Sequence, residues 1–495
     1  MENKKEYSCI EKNEKVLVKN IDVEEDFSES LPAYCDDIYR VVKCASHSFI
    51  SSVSVSSGEI LIFGKTEIML TYYNENSSLC YADFEEEFSK NIAAEDLSDY
   101  AFACADICDK YTNFRVINQR RIDVHSSAEI ALSVFDKVKY PCMQSCNGAK
   151  LNNRLIKSAD VIAGNISKIE FDEEFSVPAD SDSIKRIISV TANAKLNETK
   201  IIKDKVLVKA SVDVRLLYTV SDDEEILNVS NTFDVSKIID QSSIDDGDIM
   251  ISNVSVGNIF SKAKATTSDK LNTVEVFGEI EVNSVFIREN ESSYITDGYL
   301  LKRNCECSYS DFKVCKNGRL INDNSVFTLS AEFSNEIKEV KEVGVTLSPP
   351  AYRNSKIVAK ADILVIYENE SDALASMSSS AEIEYDVSGN DGAYAAFNLN
   401  SVDYTIGSSK RLDLRLNIDI NAFCYNEDNI KILSNIDEGE ELNDIPSLTI
   451  CFAKQSDRVW DIAKSFSSDS DLIIKENNLQ KDVLDKDRIL IIPRV

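Results

Sequence analysis

The chain has 495 residues, 43% of them hydrophobic and 28% charged, a length for about three domains and a composition that builds cores rather than staying disordered. A net charge of −31 repels polyanions, so neither nucleic acid nor an anionic lipid surface is an expected partner. No run of about 18 apolar residues occurs, so no transmembrane segment is expected.

The chain begins MENKKEYSCIEKNEKVLV, with lysines but no apolar core and no small-residue cleavage site. No secretory signal is expected, and residues 1–20 read as an N-terminal tail. Without export, the thirteen cysteines are expected to stay reduced. Cys104 and Cys108, with Cys142 and Cys146, make two C-x3-C pairs. Zinc ligands usually sit closer, no His follows, and AFACADIC reads as a strand using Cys as a small apolar residue. Neither a metal nor another cofactor is expected.

Internal similarity carries more information than any motif. LPAYCDDIYRVVKC (31–44) and VPADSDSIKRIISV (177–190) share a lead-in, with Pro32 to Pro178 and Ile38 to Ile184 both 146 apart. A long strand follows in three copies: EILIFGKTEIMLTYY (59–73), KVLVKASVDVRLLYT (205–219) and KIVAKADILVIYE (356–368). In the second copy Val206, Val208, Ala210, Val212, Val214, Leu216 and Tyr218 share one face, while Lys205, Lys209, Asp213 and Arg215 take the other. That period of two predicts a strand with one buried face. Tyr72, Tyr218 and Tyr367 close the three strands at spacings of 146 and 149. A second alternating strand recurs at 120–135, 272–286 and 410–425. Glycine and proline are scarce, so Asn, Asp and Ser must make the turns, as in YNENSS (73–78), TVSDDEE (219–225) and YENESD (367–372).

The expected fold is therefore mainly β: three tandem antiparallel β-rich domains, each a sandwich or partly open barrel, over 21–150, 160–295 and 305–432. The third has a diverged lead-in. Residues 434–446 are acidic and read as a linker. The last segment, 447–495, changes pattern. LTICFA (448–453) predicts a short strand. Val459, Ile462, Ala463 and Phe466 then fall at helical spacing, with Ser456 or Asp457 placed to cap. DSDLIIKENN predicts a second helix and DRILIIP a closing strand, so the order is βααβ.

Catalytic chemistry is hard to place. The only histidines are His47 and His125, and no nucleophile elbow, phosphate loop, dinucleotide fingerprint or HExxH occurs. The carboxylates fall on polar strand faces and in turns. No catalytic residue is assigned, and the chain is expected not to be an enzyme.

The tail resembles a LysM domain. Asp457, Val459, Ile462 and Ala463 match the turn and first helix of that family, Asn477 and Leu479 its Asn-x-Leu, and ILIIP its final strand. Ser456 stands where the family has Gly, and Arg458 where it has Thr. The LPxYxxDIxRV lead-in and the Tyr-ended strands resemble SPOCS domains. SPOCS repeats followed by LysM resemble the SipL-type, SpoVID-like spore coat morphogenetic proteins. The resemblance implies a non-enzymatic adaptor in the mother-cell cytoplasm, at the forespore surface. It would bind the coat basement-layer ATPase SpoIVA through the LysM module and recruit other coat proteins. Glycan binding at the cell envelope is the alternative. The altered turn fits a protein ligand.

The candidate partner-binding residues are Ser456, Asp457, Arg458, Trp460 and Asp461 around the first helix. Asn477, Asn478 and Leu479 form the second loop. Trp460, beside the apolar stripe, is expected to be partly exposed, and exposed Trp and Arg are enriched in interface hot spots.

Overall fold

A computed structural model describes residues 4–56, 58–178, 183–220, 225–265, 271–371, 373–442 and 448–493. The first repeat holds β1 (Lys5–Ser30), β2 (Arg40–Ser56), β3 (Gly58–Tyr73), β4 (Leu79–Ala94), β5 (Phe102–Asn118) and β6 (Arg121–Cys146). The second holds β7 (Ala149–Ser176), β8 (Ile184–Ile202), β9 (Lys205–Val220), β10 (Glu225–Asp240), β11 (Ile249–Ala265) and β12 (Leu271–Leu300). The third holds β13 (Arg303–Glu332), β14 (Ile337–Leu347), β15 (Ala351–Arg353), β16 (Lys356–Asn369), β17 (Leu374–Asp386), β18 (Gly392–Ser408) and β19 (Arg411–Glu441).

Each repeat is two antiparallel sheets built the same way. One is a meander: β2-β3-β4, β8-β9-β10, and β14 with β15, then β16, then β17. The other sets the last strand between the first and the penultimate: β1-β6-β5, β7-β12-β11 and β13-β19-β18. The latter two join where Cys315 of β13 pairs with Ala159 of β7. Ser348-Pro349-Pro350 separates β14 from β15, since proline has no N–H for the ladder.

The period-two faces form the cores. Val206, Val208, Val212 and Val214 of β9 are fully buried against Val274, Val276 and Ile280 of β12. Tyr72, Tyr218 and Tyr367 are the largest fully buried side chains. The third lead-in is shorter but anchored alike. Leu31 N donates to Arg120 O and Ile38 N to Gln119 O. In the third repeat Phe333 N donates to Lys410 O and Ile337 N to Ser409 O. Asn74 and Asn369 make matching turns, each side chain accepting two backbone N–H groups. Residues 221–224 of the expected turn at 219–225 lie outside the described residues.

The repeats close on one another: β4 meets β8, β10 meets β14, and β17 meets β2. At the centre of these contacts Leu79, Ile188, Leu217, Ile366 and Leu374 pack together from all three repeats. The arrangement has approximate threefold symmetry within one chain.

Four expected boundary segments are corrected. Residues 5–20 are not a tail but the first part of β1, paired with β6 from Lys5↔Cys146 onward. Residues 151–159 and most of 296–304 are strand rather than connections. Residues 434–441 of the expected linker continue β19, and 443–447 lie outside the described residues. These segments form three two-stranded ribbons: β1 with β6, β7 with β12, and β13 with β19. Residues 5–15 of β1 pair with β6 before β5 joins the sheet at Phe102↔Phe135, and these eleven residues at about 3.3 Å each make a ribbon roughly 35 Å long. The ribbons share cores, one around Cys142, Ile156, Phe312 and Ile432, another around Met143, Leu300 and Ile436. Tyr7 Oη donates to Asn435 (2.8 Å) and Ser310 Oγ to the Pro141 carbonyl (3.0 Å) across them. The fold class is thus mainly β in antiparallel sheets.

Candidate partner-binding site

The C-terminal segment has the expected order: β20 (Leu448–Ala453), α1 (Val459–Ser465), α2 (Ser470–Glu476) and β21 (Arg488–Pro493), with β20 and β21 antiparallel. Val459, Ile462 and Ala463 of α1, Ile473 of α2, Leu484, and Leu490 and Ile492 of β21 form its core. Phe466, last of the expected stripe, is the C-cap of α1 and lies partly exposed.

The first candidate loop is a tightly bonded turn. Ser456 takes a left-handed φ of 74°, the conformation that glycine adopts without strain. Its N–H donates to the Leu484 carbonyl (2.9 Å), and Asp457 Oδ2 accepts from Lys454 N (2.8 Å). Neither Ser456 nor Asp457 caps α1. The N-cap position falls on Arg458, which makes no side-chain cap. Asp482 does that work from the other loop. Its carbonyl accepts from Val459 N (2.7 Å), and its carboxylate from Trp460 N (3.0 Å) and Arg458 Nε (3.3 Å). Asp461 is exposed.

The second loop is structural. Asn477 caps α2 and ties it to β21, donating to the Ile473 and Ile491 carbonyls (2.9 and 2.7 Å) and accepting from Ile491 N (2.7 Å). Asn478 has a φ of 50°, and Leu479 packs against the core.

Trp460 departs from expectation. It is only 8% exposed, because it faces the ribbons rather than solvent. Its ring meets Tyr299 of β12 edge-on at 5.0 Å, and its indole N–H donates to Asp297 Oδ2 (2.8 Å). Asp297 also accepts from Lys464 Nζ (2.5 Å), Tyr309 Oη (2.9 Å) and Gly298 N (2.9 Å). Burial alone would raise the Asp297 carboxyl, but these donors hold it below its ordinary value. Tyr299 Oη donates to the Ser468 carbonyl (2.8 Å), and Lys150 pairs with Asp469 and Asp471 at 2.8 and 2.9 Å. The tail is docked on the ribbon ends. Tyr299, which hides Trp460, lies far upstream in the sequence, beyond any local signal.

The exposed side of the β20–β21 sheet is apolar. Leu448, Ile450 and Phe452 point out from β20, Ile489 and Ile491 from β21, and Phe452 is 79% exposed. Register sets Ile450 opposite Ile491 and Phe452 opposite Ile489, so the five make one patch. Apolar patches of this kind mark interaction surfaces. The sequence held the signal: LTICFA is apolar at both parities, yet one small core covers only one face. Residues 448–493 carry seven Lys/Arg and eight Asp/Glu, so nearly all of the chain's negative charge lies elsewhere.

His125 lies between Asp26 (2.8 Å) and Glu24 (3.1 Å) on the surface. His47 bridges two repeats.

Residues 183–264, spanning β8 to β11, match the family model described as SipL, SPOCS domain. The match is consistent with a SipL-type protein. A SPOCS domain suggests a SipL-like protein related to sporulation. No curated protein and no solved structure matches the chain. No helix among the described residues is long and apolar enough to cross a membrane.

Proposed function

We propose that the chain is a non-enzymatic adaptor of spore coat assembly, acting in the mother cell at the forespore surface. Its three repeats are then SPOCS domains and its tail a LysM module that binds the coat ATPase SpoIVA while the body engages other coat proteins. The observation that carries this reading is the apolar patch of Leu448, Ile450, Phe452, Ile489 and Ile491 on a tail held in fixed orientation. The matched SPOCS segment and the shared strand order of the repeats support the assignment to coat assembly. The contact surface accordingly shifts from Trp460 and the first helix to the outer face of the β20–β21 sheet. A chain of net charge −31 repels a second copy of itself, which favours a different protein as the occupant.

The test is binding of the full chain to purified SpoIVA from the same organism, by calorimetry. Phe452→Asp and Ile450→Asp are expected to weaken affinity at least about tenfold, as for central hot-spot residues, with an unchanged circular dichroism spectrum. Unchanged affinity in both variants would sink the reading. Binding of N-acetylglucosamine oligomers, abolished on altering Ser456 or Arg458, would instead favour the envelope glycan alternative.

A further inference from the structure

The contact between the first and second repeats buries ionisable groups that the proposed adaptor role does not use. His47 of β2 reaches across it, with Nε2 at 2.9 Å from the Val256 carbonyl of β11 and Nδ1 at 3.4 Å from Asp109 of β5. Both ring nitrogens thus face acceptors, and only the imidazolium donates to both. Opposite His47 on β3 is Glu67, 3% exposed; on β12 of the second repeat is Glu281, 8% exposed. Each has a buried Oε1 with no hydrogen-bond partner. A carboxylate in that position has lost its water and has no hydrogen bond at Oε1 in exchange, only the attraction of nearby cations, whereas a protonated carboxyl loses far less.

The neighbours neutralise these acids only in part: His47 and Lys43 attract a charge on Glu67, and Lys168 and His47 one on Glu281, yet burial outweighs them. From β3, Lys65 is paired with Glu85 (2.7 Å), and from β7, Lys168 with Glu279 (2.6 Å). Buried Lys43 of β2 lies between Glu67 and Glu342 of the third repeat. Asp83 and Glu85 of β4 add negative charge near Glu67, as Glu279 and Asp106 do near Glu281. Asp106 of β5 accepts from Asn283 of β12 across the contact.

We propose that this seam is a pH-responsive clasp, shut when Glu67 and Glu281 are protonated and His47 is charged, and loosened when the two carboxyls ionise.

The titrations agree in sign. Burial pushes Glu67 and Glu281 up to about 7, and Asp106 up to about 6. Burial would lower His47, but Asp109 and the Val256 carbonyl outweigh it and bring it to about 9. A group whose value is raised in the closed state stabilises that state fully below its ordinary value. The contribution is lost as pH rises through the raised value. For the carboxyls that window runs from their ordinary 4.5 to about 7, and for His47 from 6.5 to about 9. Rising pH therefore weakens the clasp throughout, with neutral pH inside the window.

Amide hydrogen exchange of the full chain tests this, using the contact between the second and third repeats as an internal reference at each pH. Relative to that reference, amides of β2, β3 and β12 at the seam are expected to open about tenfold more per carboxylate at pH 8 than at pH 6. Glu67→Gln with Glu281→Gln is expected to remove the carboxylates' share of that step, leaving only the smaller loss that His47 contributes. Equal pH dependence in the two contacts of the unaltered chain would overturn the proposal, whether or not the variant folds. So would a step of undiminished size in a folded double variant.

Discussion

The two contacts made by the second repeat use the same positions with different chemistry. The 146-residue offset that aligns the first two repeats places His47 on Asn193, Glu67 on Asp213 and Asp106 on Ser252. His47 meets the Val256 carbonyl of the next repeat, and Asn193 donates to the Leu399 carbonyl of the one after at 2.8 Å. Around Asn193 the contact is mostly neutral. Asn398 accepts from Val254 N and donates to the Ser252 carbonyl, while Asn253 accepts from Phe397 N. The charged groups there are Glu342, which accepts from Thr191 at 2.6 Å, and the Asp213–Arg215 pair, whose guanidinium donates to the Val343 carbonyl at 3.2 Å. A repeat protein can thus keep its geometry and still make one contact conditional on pH, because an amide keeps its donors at any pH and an imidazolium loses one of its two as pH rises.

The largest expected effect opens both contacts at once. Val212, fully buried on β9, sits in the core of the repeat that carries both. Val212→Asp sets an uncompensated charge there and is expected to cost at least about 4 kcal/mol. Hydrogen exchange should show β8, β9 and β10 unprotected, with the seams on either side of the second repeat opening together. If either seam kept its protection, the repeats would not depend on one another as their packing implies.

A smaller effect separates the two. Asn193→Ala leaves the Leu399 carbonyl without its donor and is expected to cost about 1 kcal/mol, by denaturant titration, at any pH from 6 to 9.5. His47→Asn copies the neutral contact into the titratable one. It should cost about 1–2 kcal/mol near pH 6, where the imidazolium holds both acceptors, and progressively less as pH rises from 6.5 to about 9. A pH-independent cost for His47→Asn would remove the distinction between the contacts.

The sequence told much of the fold through alternation. A strand such as β9, with every second residue apolar, needs no partner to be recognised, and Tyr72, Tyr218 and Tyr367 mark the repeats without knowledge of their packing. The ribbons were illegible for the opposite reason. The segment 5–20 is mostly polar, because much of it faces solvent, and its partner strand β6 begins only at Arg121. The acidic stretch 434–441 looked like a linker because a strand in a ribbon can carry charge on its outer side. In the tail, the two helices were local and readable. Asp482, which organises the start of α1, acts from across the module.

The smallest effect concerns the junction of tail and body, whose pH dependence runs the other way. Asp297 carries its charge toward Lys464 and the Trp460 indole, and its carboxyl is held below its ordinary 3.8. A lowered carboxyl stabilises docking above that value, and the contribution is lost as pH falls through the lowered one. Asp297→Asn keeps an acceptor for Trp460 but gives up the attraction to Lys464, a partly exposed pair worth about 0.5–1 kcal/mol. Trp460 is the only tryptophan, so its emission reports this junction alone. The emission should hold steady from pH 8 down to about 4 and move to the red only in stronger acid. In the variant the acid-linked shift should be smaller, with Lys150 and its aspartates left to supply the remainder. A red shift on raising the pH from 6 to 8 would mean that the tail loosens with the clasp, so that the two contacts form one unit rather than two of opposite sign.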